Sequence, residues 1–321
     1  MRKKNGKFRV TVIGGGTGLS SLLRGLKKAA LSITAIVTVS DDGGSSGALR
    51  RELGVLPPGD IRNCLVALSE EENLMSKLFQ YRFSGGGPLS GHSFGNLFLT
   101  AISSVTGGFD CGIERSSRVL AVRGRVLPVT LRSVQLEAKL ESGRIVRGES
   151  NITKANSRIA NLTISPSAPP AGPKVLEAIR ESDALIVGPG SLFTSIVSNF
   201  LVSGMAQAIK KAKCPKIYIC NIMTQPGETN GYALSDHMNV LKRYIGENVF
   251  DFVVTNSGKI PKKIAKRYEA ENSFPVKTDV AGYGSSKVIK ADILSRYEYA
   301  RHDPDKLAKV ILKILGKKQA S

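Results

Sequence analysis

The chain has no tryptophan, three histidines and four cysteines among 321 residues, and each scarcity narrows the reading. Cys64, Cys111, Cys214 and Cys220 form no CxxC pair, so none reads as half of a zinc site or a redox couple. Three of them sit in apolar surroundings, where a free thiol packs as a small hydrophobe. Reduced thiols in a cytoplasmic protein are the simplest account. His92, His237 and His302 lie far apart and form no HExxH pair. No apolar run reaches roughly 18 residues, so no segment reads as a membrane-crossing helix. The basic start, residues 1–7, leads into a short apolar run at 8–13 and then glycines, which is too short for a signal-peptide core and reads as a strand. The tripeptide GK[ST] is missing, which excludes a P-loop.

Acidic residues are also few: 26 against 46 basic ones, a net charge of +20. Such a field draws anions of any kind. The basic residues are dispersed, however. Lys262, Lys263, Lys266 and Arg267 share one short helical pattern, and Lys317 and Lys318 stand in the tail. With no aromatic–basic interleaving, the charge reads as a solvated lysine-rich surface rather than a nucleic-acid face.

Strand-like and helical patterns alternate. A β-branched run at 9–13 ends in glycines, leucines at helical spacing follow over 18–30, and a second β-branched run occupies 33–39. This is βαβ grammar, which implies parallel strands. Residues 59–69 and 74–81 read as helices, and the largely apolar 94–105 reads as a buried helix. The middle differs. Residues 118–164 are rich in Val, Leu, Ile and Thr, with an alternating run at 134–140 followed by Glu141-Ser142-Gly143, a hairpin signature. Pro173 reads as the opening of the next helix. Strands at 184–187, 216–220 and 250–255 then resume the α/β alternation. The expectation is one α/β domain over 1–321: an open, mostly parallel Rossmann-like sheet with helices on both faces and a small antiparallel β insertion at about 118–164.

The loops after the strands carry the candidate chemistry. Gly14-Gly15-Gly16-Thr17-Gly18 follows a strand and opens a helix. Glycines admit close backbone approach, and a helix N-terminus offers N–H groups to phosphate. The spacing departs from GxGxxG, because Leu19 holds the third glycine position. A tight turn alone would account for one or two glycines, not four in five residues. Asp41 and Asp42 end the second strand, where an acid commonly takes ribose hydroxyls. A divalent cation on either, or a cap and surface turn, are the competing readings. Gly43-Gly44-Ser45-Ser46-Gly47 extends this into a donor-rich loop, and Arg50 and Arg51 follow it. Asp60 reads as an N-cap. His92 and Asn96, four apart, would share a helical face. Gly188-Pro189-Gly190-Ser191, with Thr194, forms a second strand–loop–helix anion site. Two such loops suggest a diphosphate spanning a crevice at a topological switch point.

The ordered set GGGTG, VSDDGGSSG, PPGDIRNCLVALS, HSFGNLFLTA, GPGSLFTSI, CNIMTQPGET and NSG resembles the YvcK-like gluconeogenesis factors of the CofD-like superfamily, related to the 2-phospho-L-lactate transferases. The resemblance runs from about residue 9 to about 315. It implies a Rossmann-like fold, a UDP-sugar ligand of the UDP-N-acetylglucosamine type, and a role in cell shape and growth on gluconeogenic carbon. Such proteins also look able to take NAD-like dinucleotides. The sister branch moves a phospholactyl group from a nucleotide diphosphate, so a transferase is the alternative. The sequence shows no nucleophile–base pair and no secure metal constellation, which favours a non-catalytic regulator with no required cofactor. Gly15, Gly16, Thr17 and Gly18 would approach the diphosphate or ribose, Asp41 or Asp42 would take hydroxyls, and Gly190, Ser191 and Thr194 would hold the second anion. Asn221 and Asn256, each just after a strand, would read base or sugar. Arg301, in an Arg-His-Asp element before the last helix, resembles a nucleotide-site arginine. A homo-oligomer and protein partners in cell-wall synthesis stay open, and no membrane insertion is expected.

Overall fold

The computed structural model describes residues 7–70, 74–295 and 299–316. The first six residues and Lys317 and Lys318 lie outside the described residues.

The first β-branched run forms β1 (Phe8–Gly14) and the second β2 (Leu31–Val37), paired in parallel over their whole length. Both are buried from their third residue onward, as expected of strands covered on two faces. Between them runs the helix Gly16–Leu26, whose Leu19, Leu22, Leu23 and Leu26 are buried. Its Gly25 lies where a Cβ would overlap the Pro304 carbonyl, so the final helix, Pro304–Ile314, crosses it at that glycine.

Further strands follow: β3 (Arg125–Pro128), β4 (Gln135–Leu140), β5 (Ile145–Arg147), β6 (Ile159–Ser165), β7 (Ala184–Val187), β8 (Lys216–Ile219), β9 (Phe252–Asn256), β10 (Gly282–Tyr283) and β11 (Ser286–Ala291). Eight make one sheet in the order β10-β11-β9-β8-β7-β1-β2-β3, and only the β10–β11 pair is antiparallel. Core side chains pack on both faces of this sheet. The open, mostly parallel architecture matches the expected Rossmann-like class. From β1 the chain builds outward through β2 and β3, then returns to the other flank of β1 and continues through β7, β8 and β9. The switch point therefore lies between β1 and β7.

β4, β5 and β6 form the separate antiparallel sheet, in the order β5-β4-β6. β4 alternates, with Leu136, Ala138 and Leu140 buried. The insertion begins later than the expected 118. Residues up to Val119 complete a helix, Phe109–Val119, and β3 joins the main sheet in parallel with β2. A short apolar run looks the same whichever sheet accepts it, so composition alone moves this boundary. Pro173 does open a helix, Pro173–Glu181. The helix Phe94–Val105 forms as expected but is buried along one side only: Leu99 is in the core and Phe94 and Phe98 pack partly buried against it, while Val105 is 85% exposed.

Candidate functional site

The glycine loops after β1 and β7 meet at the switch point. Gly15 caps the helix Gly16–Leu26 in extended conformation, and Gly16 takes a left-handed φ of +66°, which only glycine adopts freely. At Gly18 a Cβ would stand 2.7 Å from the Pro189 carbonyl oxygen, and at Gly190 one would stand 3.1 Å from the Gly15 oxygen. The two loops thus touch backbone to backbone, which is what their glycines permit.

Over this contact lies a cleft of about 350 Å³. Gly16, Thr17, Gly18, Gly190, Ser191, Asn221 and Arg301 all line it, so seven positions singled out from sequence share one cavity. A hydrogen-bonded chain crosses it. Asn221 Nδ2 donates to Gln225 Oε1 at 2.9 Å, and Gln225 Nε2 donates to Ser191 Oγ at 2.7 Å. Gln225 was legible only as part of the CNIMTQPGET motif. Arg301 is exposed, its guanidinium 4.9 Å from the centre of the Tyr299 ring. The neighbouring acids are engaged elsewhere: Asp303 caps the last helix and Asp305 pairs with Lys28 at 2.6 Å. His302 is buried and donates Nε2–H to the Cys220 carbonyl, and burial lowers its pKa to about 4, so it is neutral near pH 7.

Beneath the cleft, each glycine-loop helix start already holds a carboxylate of the chain itself. Asp60 does not cap its own helix, Gly59–Leu68; its Oδ2 accepts the Gly16 N–H at 2.7 Å. Buried Glu228 accepts from the Phe193 and Thr194 N–H groups at 3.2 and 3.3 Å, and from Thr194 Oγ1 at 3.0 Å. Those groups belong to a π-helical turn, Leu192–Val197, that follows the second loop. Thr194 is therefore committed to Glu228, is 1% exposed and does not line the cleft. A helix N-terminus favours any anion, and here the chain supplies its own.

Desolvation raises both acids. It pushes Asp60 from 3.8 up to about 6 against the opposing Gly16 hydrogen bond, and moves Glu228 upward despite its bonds to Thr194 and Phe193. Ionised Asp60 therefore destabilises the fold above about pH 6, and that cost fades as pH falls through 6 toward 3.8. Asp60→Asn keeps an oxygen for Gly16. It is expected to raise Tm at pH 8, by about 1–2 kcal/mol of stability after allowing for its partial exposure, and to give no gain at pH 4. A gain equal at both pH values would show that the carboxylate's burial is not the cause.

Asp41 and Asp42 stand beside the cleft rather than in it. Asp41 Oδ1 accepts the Gly43 N–H, and Asp42 Oδ1 accepts the Ser150 N–H, both at 2.9 Å. The latter ties the second loop to the helix Glu149–Lys154 of the insertion. Glu149 lies near both, its carboxyl raised well above the usual range by desolvation and then by Asp41, Asp60, Glu228 and Asp42. Among the described residues, no three such groups are arranged to hold a metal ion. Asn256 closes its own loop, bonding Gly258 through both amide atoms and accepting the Ile293 N–H, and does not line the cleft.

A third cluster adjoins these acids. Arg62 Nη1 donates to Ser93 Oγ at 2.6 Å and to Asn96 Oδ1 at 3.1 Å. Asn96 Nδ2 and the Ser93 N–H both donate to Ser45 Oγ, so the Ser45 hydrogen is left for His92 Nδ1, 3.2 Å away. That assignment puts the imidazole proton on Nε2. His92 and Asn96 do not share a helical face, because Ser93 is the N-cap of Phe94–Val105 and His92 precedes it. Ser45 joins them instead.

An open parallel sheet with two glycine loops abutting at its switch point, and a polar cleft laid across them, defines a Rossmann-like protein with its cavity where such folds take ligands. The chain belongs to the CofD family: the family model described as 2-phospho-L-lactate transferase CofD matches residues 10–294. It is 47% identical over 324 residues to a gluconeogenesis factor of Halalkalibacterium halodurans, covering 100% of this chain and 99% of that one. It is 46% identical over 312 residues to the gluconeogenesis factor of Bacillus subtilis, covering 96% and 98%. A solved member of the UPF0052 family from Bacillus halodurans superposes with a TM-score of 0.91 at 47% identity, over 95% of this chain and 99% of that one.

Proposed function

We propose that this chain is a sugar-nucleotide-binding regulator, taking a ligand of the UDP-N-acetylglucosamine type in the cleft between β1 and β7 and acting in growth on gluconeogenic carbon and in cell shape. The observation that carries this reading is the convergence of both glycine loops, the Asn221–Gln225–Ser191 chain and Arg301 on one cavity. With Gly16 N–H and the Phe193 and Thr194 N–H groups already satisfied, the diphosphate meets the remaining donors of the loops, Thr17 and Ser191, and the Arg301 guanidinium. The amide chain offers both donors and acceptors, as reading a pyrimidine or an N-acetyl group requires. NAD, a longer dinucleotide, is the competing ligand. The relatives named gluconeogenesis factors support the physiological part of the reading.

The test is thermal shift with UDP-N-acetylglucosamine, other UDP-sugars, NAD and nucleoside diphosphates. A ligand at 100 times its Kd should add about 2.7 kcal/mol of apparent stability. Arg301→Ala is expected to weaken UDP-sugar binding at least about tenfold, equivalent to roughly 1.4 kcal/mol, by calorimetry. Arg301→Lys should recover part of this, since an ammonium is not bidentate. Tm without ligand should hardly move, because Arg301 is exposed. Tight binding by Arg301→Ala, or its unfolding, removes Arg301 from the site.

A transferase is the second reading, favoured by the family model's description and by the carboxylates gathered around Glu149, with His92, bonded to Ser45, as the candidate acid or base. Steady release of UDP or UMP from UDP-N-acetylglucosamine with Mg²⁺ would promote it; return of the nucleotide unchanged supports the regulator.

A further inference from the structure

Among the described residues that line the cleft, two carry charge near pH 7: Arg301 and Glu271. Arg301 suits the phosphates. Glu271 is the unexpected one, because a carboxylate beside an anionic ligand repels it unless it makes a contact of its own.

The helix that Glu271 ends gives no reason for it. The helix Lys262–Ala270 has Lys262 and Lys263 in its first turn and closes on Glu269 and the C-cap Glu271. Both ends are charged against the helix dipole, which favours acids at the start and cations at the end. No partner holds the side chain either. Glu271 makes no side-chain hydrogen bond or salt bridge among the described residues. Glu271 and Arg301 both act electrostatically on the Tyr268 phenol, yet no salt bridge joins them.

The backbone under Glu271 is fixed. The Glu271 and Ser273 N–H groups both donate to the Tyr268 carbonyl, at 3.0 and 2.9 Å. Ser273 Oγ then donates to the Thr224 carbonyl, and the Phe274 N–H donates to Thr224 Oγ1. Thr224 lines the cleft, so the helix end is tied to the cavity and the Glu271 side chain alone is left free to turn.

The other acids are placed elsewhere. In a Rossmann unit the acid after the second strand accepts ribose hydroxyls. Here Asp41 and Asp42 each give an oxygen to a backbone N–H, and neither lines the cleft. Asp60, Glu149 and Glu228 do not line it either, which leaves Glu271 as its one acid among the described residues. An ionised carboxylate only accepts, and its two oxygens match two neighbouring hydroxyls.

We propose that Glu271 accepts hydrogen bonds from a vicinal diol of the ligand, on its ribose or its sugar, while Arg301 holds the phosphates, so that the cleft selects ligands carrying both groups. This rests on the sugar-nucleotide reading of the cleft.

The test is calorimetry on the full chain with UDP-N-acetylglucosamine, UDP and 2′,3′-dideoxyuridine diphosphate. Glu271→Ala is expected to weaken UDP-N-acetylglucosamine binding at least about tenfold, as loss of charge-assisted hydrogen bonds does. Glu271→Gln keeps one accepting oxygen and should lose less. A ribose diol predicts the same loss for UDP and none for the dideoxy compound. A sugar diol predicts no loss for either. Tm without ligand should not fall, because Glu271 is exposed and opposes the helix dipole. Variants that bind UDP-N-acetylglucosamine as tightly as the wild type, or more tightly, would show that the carboxylate merely repels phosphate. That result, or an equal loss for all three ligands, would overturn the proposal while leaving the reading of the cleft intact. A wild type that binds none of the three overturns both.

Discussion

Glu228→Ala is expected to lower the stability of the chain by about 3 kcal/mol, the largest loss foreseen for a single polar side chain here. The carboxylate accepts from the Phe193 and Thr194 N–H groups and from Thr194 Oγ1, all inside the protein. Each buried donor left without a partner costs about 1–3 kcal/mol. Removing a buried carboxyl returns some of this, because its own desolvation is unfavourable, as its raised pKa records. The helix-end donors outnumber that gain. For a chain of this size the loss corresponds to a fall in Tm of roughly 4–5 °C. Glu228→Gln keeps an acceptor oxygen for the backbone and turns an NH₂ to Thr194 Oγ1, so it should cost under about 1 kcal/mol. Glu228 also sits three residues beyond Gln225, so Glu228→Ala should loosen the amide chain and weaken UDP-sugar binding. Equal losses for Ala and Gln would mean that charge, not hydrogen bonding, holds the π-helical turn. No loss for Ala would mean that water replaces the carboxylate.

The chain's own anions were not legible in the sequence, and the reason is distance along it. Gly16 meets Asp60 across 44 residues, and Thr194 meets Glu228 across 34. Glycine-rich loops announce themselves locally, because φ and steric clearance are properties of single residues. Their anions are settled only when two loops meet in space. The same limit separates Asn221 from Asn256. Both stand at the carboxyl end of a strand of the main sheet, Asn221 just past β8 and Asn256 as the last residue of β9, and nothing in the neighbouring sequence distinguishes them. β8 lies beside β7 at the switch point, whereas β9 is one strand further out, so one asparagine reaches the cleft and the other closes its own loop. The helix Phe94–Val105 shows the complementary failure. Its apolar content reads as burial, but Gly95 and Ser103 make the tight contacts that set its rotation, and they are the residues a hydrophobicity count ignores. The parallel sheet, the two loops and the hairpin of the insertion were readable because each depends on a run of neighbours.

Gly18→Ala should separate the two glycine loops and is expected to cost about 2 kcal/mol, although the methyl is the smallest that can be added. The new Cβ would lie 2.7 Å from the Pro189 oxygen, 3.0 Å from its carbonyl carbon and 3.3 Å from the Gly190 nitrogen. All three are backbone atoms, so no rotamer change relieves the overlap and one loop must move. Gly16→Ala is the control. Its Cβ meets only Ser195 Oγ, at 3.6 Å, but its φ of +66° costs an alanine about 1 kcal/mol. One substitution thus measures crowding and the other backbone strain, two residues apart on the same turn. Gly190→Ala presses on the same junction from the other side, 3.1 Å from the Gly15 oxygen. If Gly18→Ala has already parted the loops, the double variant should lose less than the sum of the singles, with a coupling of about 0.5–1 kcal/mol. Because the cleft is floored by this junction, Gly18→Ala should also weaken UDP-sugar binding by more than Gly16→Ala does. Denaturant unfolding and calorimetry on the three single variants and the double decide the matter. Strict additivity, or a Gly18→Ala variant as stable as the wild type, would show that the loops part freely and that their contact does not shape the cleft.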